Sequence, residues 1–215
     1  MASVRPKIAI IVGSQREPRL GHRIARFVQD TLQERRYEVD LNIVDLAAWN
    51  LPLYNEPGIP SKIFSPKDYK HEHTRRWSNE IASYQAIVFV TPQYNWGYPA
   101  SLKNAIDYLF NEWKGKPAMI VSYGGHGGGK AAEQLKQVCH GLRMLPLDTP
   151  SCLTFPDKEF IEKVNRGEDF DVRDVFNKDR AGIQERFDEL PMHVSILIDR
   201  WFYTYLQVHP STFNM

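Results

Sequence analysis

An α/β fold with a parallel sheet covered by helices on both faces is predicted by two features of this 215-residue chain. Short β-branched runs alternate with helical patterns, and three of those runs are apolar throughout, as strands buried on both faces must be. They are IAIIV at 8–12, AIVFV at 86–90 and AMIVSY at 118–123. Strand, helix, strand in repetition specifies right-handed crossovers and therefore parallel pairing.

The remaining elements follow in order. VDLNIVDL at 39–46 alternates, which puts a fourth strand nearer the sheet edge, and LPLDTPSCL at 145–153 supplies a fifth. Helical patterns cover His22 to Arg36, His73 to Tyr84, Ala100 to Trp113 and Ala131 to Leu142. From Phe155 to Lys178 charges and short apolar pairs mix without a period, and an irregular excursion is expected. Beyond it Ile183, Phe187, Leu190, Val194, Leu197, Trp201 and Tyr205 recur at helical spacing and draw one apolar stripe, interrupted by Pro191. No repeat and no linker divides the chain. One domain over 1–215 is expected, with 155–215 as its helical C-terminal extension.

A chain of this length buries roughly 70% of its unfolded surface and needs no disulfide or metal to fold. Lysine and arginine number 27 against 26 acidic residues, so the net charge of +1 advertises no nucleic-acid or anionic-membrane partner. Cys139 and Cys152 are the only cysteines, no Asn-x-Ser/Thr acceptor occurs, and the start MASVRPKIAIIVGS has too short an apolar run for a signal peptide. The reducing cytoplasm is the expected compartment. No stretch approaches the roughly 18 apolar residues of a membrane helix, so no membrane insertion is expected.

In an open parallel sheet, ligands sit outside the carboxyl ends of the strands where the strand order reverses. Three loops would meet there. GSQREPRLG at 13–21 carries Ser14, Arg16 and Arg19 ahead of a helix, whose unpaired amides and partial positive charge suit a phosphate. The other reading is a capped, solvated helix start. TPQYNWGYP at 91–99 packs Tyr94, Trp96 and Tyr98 around Asn95 and Gly97. Aromatics beside a glycine suit a flat ring held by backbone amides, with Gly97 supplying the backbone freedom; ordinary loop packing is the alternative. Asn104 and Asp107 are expected to cap and brace the following helix.

In GGHGGG at 124–129, five glycines in six positions imply close backbone approach. The dinucleotide fingerprint GxGxxG fails because Lys130 stands at its third glycine, and the phosphate-loop pattern fails at Ala131, where a magnesium-binding hydroxyl belongs. His126 is the one titratable group in the loop, either a functional group or a solvated tip. His71 and His73 lack further ligands for a metal, and neither cysteine is marked as a nucleophile. No metal is expected.

Taken together, GSQREPRLG, TPQYNWGYPASLKNAIDYL and SYGGHGGGKAAEQL resemble the NADPH-dependent FMN reductase and NAD(P)H:quinone reductase family, flavodoxin-like in fold and closest to fungal quinone reductase-like members. The resemblance spans residues 6 to 153. It implies a five-stranded doubly wound sheet of order 2-1-3-4-5 with FMN held noncovalently at the reversal between the first and third strands. Ser14, Arg16 and Arg19 would meet the phosphate. Pro92, Gln93, Tyr94, Asn95 and Trp96 would meet the isoalloxazine ring, and Ser122, Tyr123, Gly124, Gly125 and His126, the one candidate for a catalytic role, its pyrimidine side. NADPH or NADH would donate a hydride and a quinone-like acceptor would take the electrons in the same place, no second cleft being evident. Homodimers or tetramers are implied. Arg19 and Gly21 depart from the family's usual Ser and Asn. A one-electron carrier or redox-responsive module of the same fold is the alternative; arginines in the phosphate loop and near-neutral charge favour the enzyme.

Overall fold

The computed structural model describes residues 5–35 and 37–190. β1 (Lys7–Val12), β2 (Asp40–Asp45), β3 (Ala86–Pro92) and β4 (Pro117–Gly124) pair in parallel, and β5 (Leu145–Pro146) and β6 (Ser151–Thr154) both pair with β4. The order is β2-β1-β3-β4-β5, as expected. Two short pieces share the position expected for one strand at 145–153. The Leu147 amide still donates to Ala118 O at 2.8 Å, but residues 148–150 leave the ladder, Pro150 having no N–H to donate.

The helices are α1 (Leu20–Gln33), α2 (Leu46–Trp49), α3 (Glu72–Ala82), α4 (Ala100–Asp107), α5 (Gly129–Gly141), α6 (Lys158–Asn165) and α7 (Val172–Phe176), and residues 180–190 are again helical. Strand alternation divides the core into two layers. Ile8, Ile10 and Val12 point into one cluster with Ile24 and Val28 of α1. Ala9 and Ile11 point into the other with Trp77 of α3, Leu102 of α4 and Leu135 of α5. β2 at the edge buries fully only Val44, which explains its alternating composition.

Three elements depart from expectation. α4 ends at Asp107 instead of reaching Trp113, because the indole N–H groups of Trp77 and Trp113 donate to the carbonyls of Ala105 and Ile106 at 2.8 and 3.1 Å. Those acceptors would otherwise serve another helical turn. The stretch 155–178 is not irregular throughout: Asp157 and Asp171 accept bonds from the amides of Phe160 and Arg173 and so open α6 and α7. Finally, Ile183, Phe187 and Leu190 are buried in the α1 layer, so this half of the apolar stripe is used inside the chain's own core. Pro191, Val194, Leu197, Trp201 and Tyr205 lie outside the described residues. Among the described residues no helix is long and apolar enough to cross a membrane.

Candidate functional site

β3 and β4 end within a residue of each other, Pro92 beside Tyr123, and β1 ends two residues short of β3, Val12 beside Val90. Their loops therefore emerge side by side where the order reverses about β1. Cross-links hold them: the Gly13 amide donates to Val90 O at 2.9 Å, Ser101 Oγ to Gly13 O at 2.7 Å, and the Gln93 amide to Tyr123 O at 3.2 Å.

In the first loop Ser14 is buried, its Oγ sharing a 2.7 Å hydrogen bond with Tyr94 Oη and accepting from the Arg16 amide at 3.2 Å. α1 starts without a side-chain cap, so amides of its first turn remain for an outside acceptor. A Cβ at Gly21 would stand 2.5 Å from Tyr123 Oη. That close approach explains why glycine stands here. The two arginines part company: Arg16 faces the cleft, whereas Arg19 Nη2 is 2.6 Å from Asp45 Oδ1 at the end of β2.

The loop after β3 is a two-residue hairpin. Tyr94 N donates to Gly97 O at 2.8 Å and Gly97 N to Tyr94 O at 3.0 Å, with Asn95 at φ 45° and Trp96 at φ 72°. Positive φ at both central residues is the type I′ geometry. The unusual backbone thus falls on Asn95 and Trp96, not on Gly97, whose amide is consumed inside the hairpin. Trp96 is 68% exposed despite its strained position. Gln93 Oε1 accepts from the amides of Lys130 and Ala131 at 3.0 and 3.4 Å, capping α5, whose N-cap residue Gly128 has no side chain to do so.

In the loop after β4, Gly128 has φ 79°, and a Cβ there would lie 3.0 Å from the backbone N and O of Tyr123. Much of the glycine content therefore serves the loop's return onto its own strand. Ser122 is buried beneath it, donating to Gly127 O at 2.8 Å.

Two clefts result. Ser14, Arg16, Pro92, Gln93, Tyr94, Tyr123, Gly124 and Gly125 all line a first cleft of about 160 Å³. Arg19, Asn95, Trp96 and Ser122 do not. Trp96 and His126 line a second, wider cleft of about 600 Å³ with Lys130, Glu133 and Cys152, and Gln93 borders both. The expectation of a single cleft is thereby corrected. Sequence reasoning also missed Phe155, Ile161, Val164 and Asn165 in the first cleft. Their signal was an aspartate cap followed by apolar residues at helical spacing in DKEFIEKV.

Other candidates resolve structurally. Asn104 braces a neighbouring loop, not its own helix, accepting from Tyr54 N at 2.8 Å and donating to Pro52 O at 2.7 Å; Asp107 pairs with Lys103. His71 and His73 stack at 5.1 Å and bond to Asn55, and no group of three or more His, Cys, Asp or Glu suited to a metal occurs among the described residues. Burial pushes the Cys139 thiol up to about 12, which leaves it inert. Cys152 is exposed.

The first cleft has a chemistry that fits FMN. An uncapped helix start, the Ser14 hydroxyl and the Arg16 guanidinium suit a phosphate, while Pro92, Tyr94 and the unobstructed backbone at Gly125 suit a flat ring edge.

Comparison with known proteins agrees in kind. Residues 6–154 match the family model described as NADPH-dependent FMN reductase. An NAD(P)H-dependent FMN reductase of Schizosaccharomyces pombe is 46% identical over 164 residues, covering 76% of this chain and 80% of that protein. A quinone reductase of Pseudomonas putida is 32% identical over 157 residues, covering 70% and 75%. Among solved structures, the flavoenzyme NAD(P)H:(acceptor) oxidoreductase of Paracoccus denitrificans superposes with a TM-score of 0.65 at 23% identity, over 87% of this chain and 98% of that one, a likeness of fold.

Proposed function

The chain belongs to the NADPH-dependent FMN reductase family, and on that premise we propose that it binds FMN in the first cleft and passes electrons from NAD(P)H to small quinone-like acceptors. The observation that carries the cofactor's location is the convergence of Ser14, Arg16, Tyr94 and Gly125 on one cleft at the reversal of strand order. FMN, when bound, supplies the two-electron exchange itself. The protein's residues bind and orient. Ser14 and Arg16 take the phosphate, and Pro92 and Tyr94 support the ring. The amides of Gly125 and His126 lie at the loop that would face its pyrimidine edge, where preorganised donors favour added negative charge.

Nicotinamide and acceptor approach through the second cleft, whose wall at Trp96 offers an aromatic face. His126 borders that approach as a group able to touch the substrate. The quinone preference rests on the named activity of the Pseudomonas relative. A homodimer or tetramer belongs to the same reading, supported by the family resemblance, since the buried part of the C-terminal stripe is already used within the chain. A cytoplasmic location is supported by two unpaired cysteines.

Purified protein mixed with FMN and passed through a desalting column tests the reading. It should emerge yellow, lose that colour anaerobically on addition of NADPH or NADH, and regain it with a benzoquinone. Protein that retains no FMN, or whose bound FMN ignores both nucleotides, would reject it.

A further inference from the structure

The first cleft has a wall beyond the region that the family model matches. That match ends at residue 154, and Phe155, Ile161, Val164 and Asn165 all follow it. The wall is anchored from behind. Phe160 of α6 is buried, with its ring centroid 5.2 Å from that of Phe155 and 4.9 Å from that of Phe170. The Arg23 guanidinium stacks 4.0 Å from the Phe170 ring and reaches Asp169 at 3.1 Å. At the rim, Arg16 Nη2 donates to Asn165 Oδ1 at 3.0 Å, across 149 residues of sequence.

That contact joins the loop after β1 to the last turn of α6. A guanidinium has five N–H donors in a rigid plane, so one bond to Asn165 restricts its orientation and leaves the other donors for an anion. A group already held in place loses less freedom on binding. Because Asn165 is neutral, it restrains Arg16 without offsetting the positive charge a phosphate requires.

We propose that Asn165 is a positioning residue for the cofactor's phosphate: by holding Arg16 at the rim of the cleft, it makes α6 a determinant of how tightly this chain retains FMN. The inference rests on the reading that the first cleft binds FMN. Both side chains are exposed, which limits the expected effect to about three- to tenfold in affinity.

FMN and riboflavin, which lacks the phosphate, separate positioning from packing. Dissociation constants from flavin fluorescence should show Asn165→Ala weakening FMN about three- to tenfold with riboflavin unchanged. Asn165→Asp keeps the acceptor for Arg16 but sets a carboxylate beside the phosphate, so it should weaken FMN further and again spare riboflavin. In an Arg16→Ala background, Asn165→Ala should add nothing. Unchanged FMN affinity in Asn165→Ala, or equal losses for FMN and riboflavin, overturns the inference, the second result assigning Asn165 to packing alone. Wild-type protein that binds no FMN overturns the parent reading and this inference with it.

Discussion

Ser14 Oγ and Tyr94 Oη, from loops that follow different strands, meet at 2.7 Å on the floor of the first cleft. The bond fixes the loop assigned to the phosphate relative to the loop assigned to the ring. Tyr123 lies beside it, and burial holds its phenol well above the ordinary tyrosine range, so it stays protonated. Removing one hydroxyl in Tyr94→Phe should lower stability by about 1 kcal/mol and weaken FMN about threefold or more. Urea denaturation of the apoprotein and an FMN titration give the two numbers; wild-type values in both would show that the loops need no such joint.

Arg16 and Arg19 look equivalent in sequence and are not equivalent in space. Arg19 is tied to Asp45, which also accepts from the Ala47 amide at 3.0 Å to cap α2. Arg19→Ala should therefore act mainly on folding, lowering stability by about 1 to 2 kcal/mol because Asp45 loses a partly buried partner, with FMN affinity within about threefold of wild type. Arg16→Ala should do the reverse, weakening FMN about ten- to a hundredfold with little change in stability. Equal FMN affinities in both variants would return the phosphate to some other group.

These two arginines mark where sequence reading stops. β1, β3 and β4 were legible because a strand buried on both faces leaves an uninterrupted apolar run, and the three loops because glycines, Ser14 and clustered aromatics follow those runs directly. Contacts that join distant positions leave no such trace. Nothing near Arg19 announces Asp45, nothing near Gln93 announces that it caps a helix beginning at Gly129, and the early end of α4 depends on an indole from α3. α6 was missed for another reason: its short amphipathic pattern is diluted by six charged residues in DKEFIEKVNR, so no helical period stood out.

Alkaline stability should report on Lys116. Burial pushes its ammonium down to about 8, the nearby Glu112 charge opposing only in part, and its Nζ donates to the carbonyl of Tyr84. Below pH 8 folded and unfolded chains both hold this proton, so it contributes no slope. Between about pH 8 and 10 the unfolded chain binds more protons than the folded one, so stability rises with pH, by up to about 2 kcal/mol. Above about pH 10 the phenols of partly buried Tyr37 and buried Tyr84, whose folded values are raised, reverse the trend. Lys116→Met should abolish the rise, as followed by denaturant midpoints at pH 7, 8, 9 and 10. A variant that keeps the wild-type slope would place the titrating group elsewhere.

Trp96 carries the sharpest conflict between local structure and exposure. A bulky residue at φ 72° costs about 1 to 3 kcal/mol, and a ring that is 68% exposed recovers little of it by packing. Lys130 Nζ stands 5.8 Å from the ring centroid, a weak contact at an exposed site. Glycine fits the second position of a type I′ turn without strain, and its added freedom in the unfolded chain costs at most about 1 kcal/mol. Trp96→Gly should therefore leave the apoprotein as stable as wild type or up to about 2 kcal/mol more so. FMN affinity should hold, because Trp96 does not line the first cleft. The loss should fall on the second cleft: without an aromatic face worth about 0.5 to 1.5 kcal/mol, KM for the nucleotide or the quinone should rise about two- to tenfold while kcat changes less. Steady-state kinetics with each substrate varied in turn, beside a denaturation curve, decides it. A less stable variant with unaltered KM values would mean that the indole is there for the hairpin and not for a substrate.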